Sequence, residues 1–493
     1  MSYKSDFVVP QIPKEKLEFV QRDKNIHDAK FTTKPVGYFL DAWYRFRKNK
    51  SSVVAAIVIL VLMIYAILAP MLSDYGFLFM DPYYSYALPK CTPLAKFGIW
   101  DGCKDVVVNQ TQYDYYDGIP GAIEKVYEVT ESPDMRKGKE GHIITNYKIK
   151  LDTYDKVGYA EKTFTEEEYN ELKKYSEETG IQIFYPFIDT DNIQALHLKN
   201  DANMWFKADR KGTAIRDENG NLVPNFKTDK DGNYIYLENP TPQQFVTRID
   251  YKEYFQFKYG RNPSFLFGVD NYGQDIWVRL AGGARLSFLL GICVSAVNMF
   301  IGVCVGATEG YYGGAFDLIF ERIKEVLGSL PFIVTATLFN LHFATKVGAL
   351  GALFFAYIFT GWIGYSGTTR TQFYRFKGQE YILAARTLGA RDRRIIFKHI
   401  LPNALGTMVT SFVLAIPGVI FSESNLSYLG IINLNSRTMT SVGTLLSAGQ
   451  TVLSVYPHVI LFPAIFISAL EVAFNLFGNG LRDALNPSLR GAE

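Results

Sequence analysis

The run SSVVAAIVILVLMIYAILAPML, residues 51–72, carries no charge for 22 residues. Wound as a helix at 1.5 Å per residue it is about 33 Å long, enough to cross the roughly 30 Å hydrocarbon core of a bilayer. Fifty largely polar residues precede it, far more than the short leading region of a cleavable signal. YRFRKNK at 44–50 abuts its start, and basic residues stay on the cytoplasmic side of a membrane. The segment 1–50 is therefore expected inside the cell, with the first span leaving it.

The chain-wide averages hide this. With 51 Lys and Arg against 49 Asp and Glu, and a mean hydropathy of +0.01, the 493 residues resemble a soluble protein. The apolar residues, however, are clustered. Further apolar runs lie at 286–308, 318–341, 347–365, 403–422 and 457–478. The third begins with FERIKEV, whose Glu321, Arg322, Lys324 and Glu325 are expected to form a solvated helix end with a Glu321–Lys324 pair at i, i+3. The expected fold is an α-helical polytopic membrane protein with six transmembrane helices and both termini cytoplasmic. Residues 366–400 hold eight Lys and Arg against Glu380 and Asp392, whereas 423–456 hold only Arg437, which places the former inside. The expected organisation is a cytoplasmic segment 1–50, the first span at 51–72, an insert at 75–265, a core at 266–478 containing an inner loop at 366–402, and a tail at 479–493.

The insert is rich in Asp, Tyr, Lys, Asn and Glu and is too long for a structureless connection. HIITNYKIKLDTYD, QIFYPFI, NYIYL and QFVTRIDYKEYFQFKYG read as strands, KDGN as a turn, and TEEEYNELKKYSEETG (165–180) as a helix with an acidic first turn and a glycine stop. The expectation is an extracellular α+β domain between the first and second spans, without internal repeats. Cys91 and Cys103 could close a small loop in an oxidising compartment, or be unrelated thiols. Cys293 and Cys304 are about 16 Å apart along one helix and cannot pair. Nothing points to nucleic acid or to a metal site. No GxxxxGK[ST] occurs, so no phosphate-cradling loop is expected on this chain.

EYILAARTLGARDRRIIFKHILPN, residues 380–403, is too charged to cross a bilayer. It reads as two short helices with a turn near Gly389. Ala384, Ala385 and Gly389 let another surface approach the backbone, flanking basic residues including Arg386 sit at headgroup level, and Leu401–Pro402 opens the next helix. Such a knuckle is either a docking surface or a solvated loop that satisfies the charge rule. Three charges in or beside the spans are candidates for a pathway. Arg285 is either a collector of carboxylates or a headgroup anchor. Glu423 is expected at the outer end of the fifth span, and Glu471 lies within the sixth, where a carboxylate must pair, protonate or face water.

Residues 380–403 resemble the EAA loop of ABC importer permeases, with Ala384, Ala385, Gly389, Leu401 and Pro402 in register. Leu383 stands where that pattern has glutamate, and His399 where it is usually apolar; Glu380, one turn earlier, is the acid that could substitute. AARTLGA followed by HILPN resembles the oligopeptide/dipeptide/nickel branch more specifically. So do 43–72, FGVDNYGQDIWVRLAGGARLSFLLG, GYYGGAFDLI, ESNLSYLG and NLFGNGLRDALNPSLR. The resemblance implies a C-type permease subunit that pairs with a homologous B-type permease. Two ATPases that bind ATP and Mg, and hold no site here, would dock on 380–403, and a solute-binding lipoprotein would deliver cargo from outside. Peptides are the expected cargo, with nickel or another small solute as the alternative. An exporter or mechanotransmission subunit would share a large ectodomain but not six spans or the knuckle. The family's usual short connection leaves the insert unexplained.

Overall fold

The computed structural model describes residues 38–133, 143–191 and 201–485. A short helix α1 (Tyr38–Lys48) leads into α2 (Lys50–Leu72), whose first turn is capped by the Asn49 side chain accepting the Ser52 N–H at 3.3 Å. The insert follows. It comprises α3 (Thr92–Ala95), β1 (Cys103–Asn109), α4 (Gln110–Asp117), β2 (Ile123–Pro133), β3 (Ile143–Asp152), β4 (Tyr159–Phe164), α5 (Glu166–Thr179), β5 (Phe184–Tyr185), β6 (Glu238–Thr241), β7 (Gln244–Asp250) and α6 (Tyr251–Tyr259). One antiparallel sheet has the order β1-β3-β2 and buries Ile149; the other has the order β4-β7-β5, with β6 also on β7.

α5 falls where expected, closed by a Thr165/Glu168 capping box and Gly180 in the left-handed conformation. The stretch 244–260 departs from its reading as one strand. Asp250 accepts the N–H groups of Lys252 and Glu253 at 3.0 and 3.3 Å and so starts a helix, which Gly260 ends at φ +69°. QIFYPFI contributes the two residues of β5 and a bridge from Ile188 to Phe226, and NYIYL a bridge from Tyr234 to Thr228. Residues 204–236 instead form a run of tight hairpins that repeats one device. Asp209, Asp217 and Asp229 each accept the N–H two and four residues on at 2.8–2.9 Å, and a glycine three residues on takes a φ of +83° to +85°. The expectation of no repeat missed this D-x-x-G punctuation.

Cys91 and Cys103 are both free thiols. The bridge pairing Lys90 with Asp101 sets Cys91 opposite Trp100, while Cys103 lies three residues out of register and turns its Sγ toward the Asp101 carbonyl at 3.7 Å.

Beyond the insert come α7 (Ile276–Tyr312), α8 (Gly314–Gly328), α9 (Phe332–Lys377), α10 (Glu380–Thr387) and α11 (Asp392–Arg394). A π turn at Ile395–Ile400 joins α11 to α12 (Leu401–Tyr428), and α13 (Val442–Gln450) and α14 (His458–Leu485) complete the chain's described part. Among the described residues, five helical stretches are long and apolar enough to cross a membrane: Lys50–Leu72, Ile276–Tyr312, Phe332–Lys377, Asp392–Tyr428 and His458–Leu485. The third folds back on itself. Gly348 leaves helical geometry at φ +78°, and the Phe332 and Tyr357 rings stack 4.7 Å apart, where an unbroken helix would hold them about 37 Å apart. The apolar run expected at 318–341 is likewise divided, since Pro331 separates α8 from α9.

The tightest helix contact is written in GVCVGATEG, residues 302–310. Glycines at i, i+4 and i+8 of α7 lie against the backbone of α9. A Cβ at Gly302 would stand 2.6 Å from the Trp362 oxygen, one at Gly310 2.8 Å from the Arg370 oxygen, and one at Gly306 would strike the Ser366 oxygen. Elsewhere α2, α7, α12, α13 and α14 share one core through Ile59, Phe288, Ile420, Leu445 and Phe474.

Candidate functional site

The knuckle at 380–403 is a helix–turn–helix anchored by Ile382, Ile395 and Ile400. Ile382 of α10 is fully buried against Phe373, Ile395, Ile400, Ala404 and Met408. That fixes one face of α10 and leaves the other outward. Glu380, Leu383, Ala384, Arg386, Gly389 and Pro402 are exposed, while Ala385, His399 and Leu401 are half-buried. Leu388 is 88% exposed, an uncovered apolar side chain at the apex. Gly389 follows it at φ +81°, where only glycine is unstrained, and reverses the chain. Glu380 and Leu383 are both exposed one turn apart, so an acid at 380 shares the face that Leu383 presents. On the side facing the bundle, the Tyr311 hydroxyl at the end of α7 donates to Asp392 Oδ1 at 2.5 Å, and Asn403 donates to the His399 carbonyl at 2.7 Å. The arrangement offers a small apex with the apolar Leu388 exposed, flanked by the exposed charges Arg386, Arg391, Arg393 and Arg394.

Behind the knuckle, the cluster expected at a solvated helix end forms its Glu321–Lys324 pair and keeps Arg322 and Glu325 exposed, but Lys324 itself is internal. Lys324 is 5% exposed and donates to Glu309 at 2.8 Å and to Glu321 at 2.7 Å, while Ser366 donates to Glu309 at 2.9 Å. Arg370 grips Asp317 through Nε at 2.6 Å and Nη2 at 2.8 Å. Only the Arg322–Glu325 pair stays in the open. The reason is the way α8 lies: it turns Lys324 and Asp317 toward α7 and α9 and leaves Leu318, Ile319 and Val326 outward. The acid groups of Glu309, Asp317 and Glu321 are close enough to hold a cation, but Lys324 already occupies that place.

At the opposite end of α7, Arg279 is buried, donates to Asn435 Oδ1 at 2.7 Å and the Ser436 carbonyl at 3.0 Å, and lies 4.6 Å above the Phe77 ring. It supports the 433–437 loop, which with Met80, Tyr86 and Tyr272 lines two adjoining clefts of about 270 and 340 Å³. None of the three pathway charges lines these clefts. Arg285 is exposed on α7. Glu423 lies five residues before the end of α12 and is fully enclosed, accepting from Ser287 at 3.2 Å and Ser427 at 3.0 Å. Glu471 is half-buried on α14, with its Oε1 lacking a partner. Sequence reasoning missed Arg279 as a loop support, Tyr311 and Asp392 as the knuckle's tie, and the glycine stripe. The last was readable as G-x-x-x-G-x-x-x-G.

Residues 299–491 match the model of the binding-protein-dependent transport system inner membrane component, and residues 37–89 match the N-terminal transmembrane domain of oligopeptide transport permease C. The chain is 40% identical over 224 residues to the oligopeptide transport system permease protein OppC of Bacillus subtilis, 45% of this chain and 72% of that one. It is 39% identical over 225 residues to the same organism's dipeptide transport system permease protein DppC, 45% of this chain and 69% of that one. It is 34% identical over 254 residues to the glutathione transport system permease protein GsiD of Pectobacterium atrosepticum, covering 50% and 81%. A solved chain of the MetNI methionine ABC transporter aligns over 42% of this chain and 96% of its own at 15% identity, with a TM-score of 0.34. The chain is an integral membrane protein of the ABC importer permease class. Within that class it belongs to the oligopeptide and dipeptide permease C family.

Proposed function

We propose that this chain is the C-type half of a permease pair that carries oligopeptides or dipeptides into the cell by alternating access. Its 40% identity over 224 residues to an oligopeptide permease is the observation that carries the reading. The reading has six spans, counting the two arms of α9 on either side of Gly348 separately. It puts 1–50, the knuckle and the tail at 479–493 in the cytoplasm and the 75–265 insert outside. A B-type permease completes the pathway. Two ATPases, which bind the ATP and Mg, close on 380–403, and Glu380, Ala384, Ala385, Arg386, Gly389, His399, Leu401 and Pro402 form the contact. A solute-binding lipoprotein delivers the peptide to the outer face. The base of the insert supports that placement. Tyr86 stacks on Tyr456 at 4.3 Å and Lys104 donates to the Val455 carbonyl at 3.1 Å, which keeps the insert against the loop before α14.

The test is reconstitution of the whole complex in proteoliposomes. ATP-dependent accumulation of a labelled tetrapeptide, lost when the ATPases carry a catalytic-glutamate substitution, is the expected result. Accumulation of nickel with no peptide uptake would replace the cargo, and efflux rather than uptake would overturn the direction.

A further inference from the structure

The insert contains a cleft of about 320 Å³, at the lower end of the range for ligand pockets, where the second sheet meets the hairpin run. Its walls are aromatic: Tyr159, Tyr185, Trp205, Phe226, Tyr234 and Tyr236. They are held in place before any ligand arrives. Trp205 donates from Nε1 to the Gly118 carbonyl at 2.6 Å and stacks on Phe226 at 5.8 Å, and Tyr234 meets Phe226 edge-on at 5.3 Å.

Arg248 of β7 also lines this cleft and is 1% exposed. Its Nε donates to the Ala202 carbonyl at 2.7 Å and its Nη1 to the Pro186 carbonyl at 3.1 Å, while Nη2 has no partner. Its Cζ lies 4.0 Å over the Tyr159 ring. Among the described residues no carboxylate comes within ion-pair distance of it. Glu161 is opposite on β4, yet it is exposed and forms no bridge. Burial accordingly pulls the guanidinium below the usual arginine range. A buried cation satisfied only by two carbonyls and ring faces is costly, and the two N–H groups on Nη2 are what a carboxylate accepts. A surface rim of Tyr234 and Tyr236, each more than two-fifths exposed, gives a flat apolar side chain somewhere to lie.

We infer that this cleft is a binding site for the free C-terminal carboxylate of a peptide ending in an apolar or aromatic residue, with Arg248 taking the carboxylate and the aromatic rim taking the side chain. The peptide identity of the ligand rests on the proposed transport function; the anion-plus-apolar chemistry stands on the cleft alone. Occupancy would hold peptide on the insert, beside the outer end of the bundle.

The test is calorimetric titration of the full-length chain in detergent with Ala-Ala-Phe as the free acid and as the C-terminal amide. Charge-assisted hydrogen bonds of this kind lead one to expect the amide to bind at least about tenfold more weakly. Tyr236→Ala, on the exposed rim, should weaken the acid several-fold without altering the unfolding temperature, and Arg248→Met should abolish binding. If Arg248→Met does not fold, the rim variant and the acid–amide pair still decide the matter. Equal binding of acid and amide, or an unchanged affinity in Tyr236→Ala, overturns the site. Displacement of the tripeptide by equimolar inorganic phosphate overturns the carboxylate assignment. Peptide uptake by the reconstituted complex with no binding to this chain would sink the site alone; tripeptide binding without any peptide uptake would sink the transport reading alone.

Discussion

Leu388 and Ile382 lie six residues apart in the knuckle and are the sharpest test of what that segment does. Leu388 is 88% exposed and Ile382 fully buried, so the same truncation should fall on different quantities. Leu388→Ala removes three carbons at roughly 0.8 kcal/mol each, and the exposed fraction makes about 2 kcal/mol available for burial by a partner. The permease should keep its unfolding temperature, because an exposed substitution changes folding by about 0.5 kcal/mol or less. Its affinity for the ATPase pair should fall about 30-fold, since each 1.4 kcal/mol is a factor of ten. Ile382→Ala instead opens a cavity among Phe373, Ile395 and Ile400 and should cost roughly 2–5 kcal/mol of stability. Titrating purified ATPases onto permease in nanodiscs, with thermal unfolding recorded in parallel, separates the two. If Leu388→Ala binds the ATPases as tightly as the parent, or loses stability as Ile382→Ala does, the knuckle is a structural turn and the docking argument fails.

Three further outcomes follow from the fold. Gly306→Leu should prevent α7 from closing on α9, because the glycine carries the backbone past the Ser366 oxygen; the variant is expected to be inserted but protease-sensitive, and normal protease resistance would contradict the packing. Lys324→Met strands Glu309 without its cation and should cost about 3–5 kcal/mol, most of it recovered in the Lys324→Met/Glu309→Gln double variant. An additive double variant would show that the two do not act as a pair. Maleimide labelling of the denatured chain should report four thiols with or without prior reductant, and a gain of two after reduction would put a disulfide back between Cys91 and Cys103.

How far the sequence could be read depended on whether a signal was local. The α5 helix was legible because its capping box and glycine stop lie within sixteen residues, and the apolar runs at 51–72, 286–308, 403–422 and 457–478 were legible because length and hydropathy alone identify them. The knuckle was legible as a shape: small residues at 384, 385 and 389 and Leu401–Pro402 mark it before any packing is known. What escaped was set by partners distant in the chain. Whether Lys324 faces water depends on α8 lying along Glu309 and Ser366, fifteen residues before it and forty-two after. That Glu423, near the end of α12, is enclosed depends on Ser287, 136 residues earlier. In 244–260, apolar and aromatic residues fit strand or helix equally well, and the choice falls to two hydrogen bonds on Asp250.

The same geometry says how movement at one end of the bundle must reach the other. α7 is 37 residues, about 55 Å, and is tied at both ends. Arg279, near its start, supports the loop that lines the clefts, and Tyr311, near its close, holds Asp392 of the knuckle. Between these ties, backbone lies close on backbone at Gly302, Gly306 and Gly310, and on either side of that stripe Leu290, Val294 and Tyr311 of α7 pack against Leu353, Tyr357 and Phe373 of α9. Interfaces of this kind are bistable rather than elastic, because close-packed surfaces do not deform continuously. The Lys324–Glu309–Ser366 contact adds a buried ion pair at the same level, which resists sliding since any displacement leaves a charge uncompensated. A displacement of the knuckle therefore cannot be taken up by bending within this pair. It has to carry α7 and the second arm of α9 as one body, and so it arrives at the Arg279-supported loop as a rotation of that body rather than as a local adjustment.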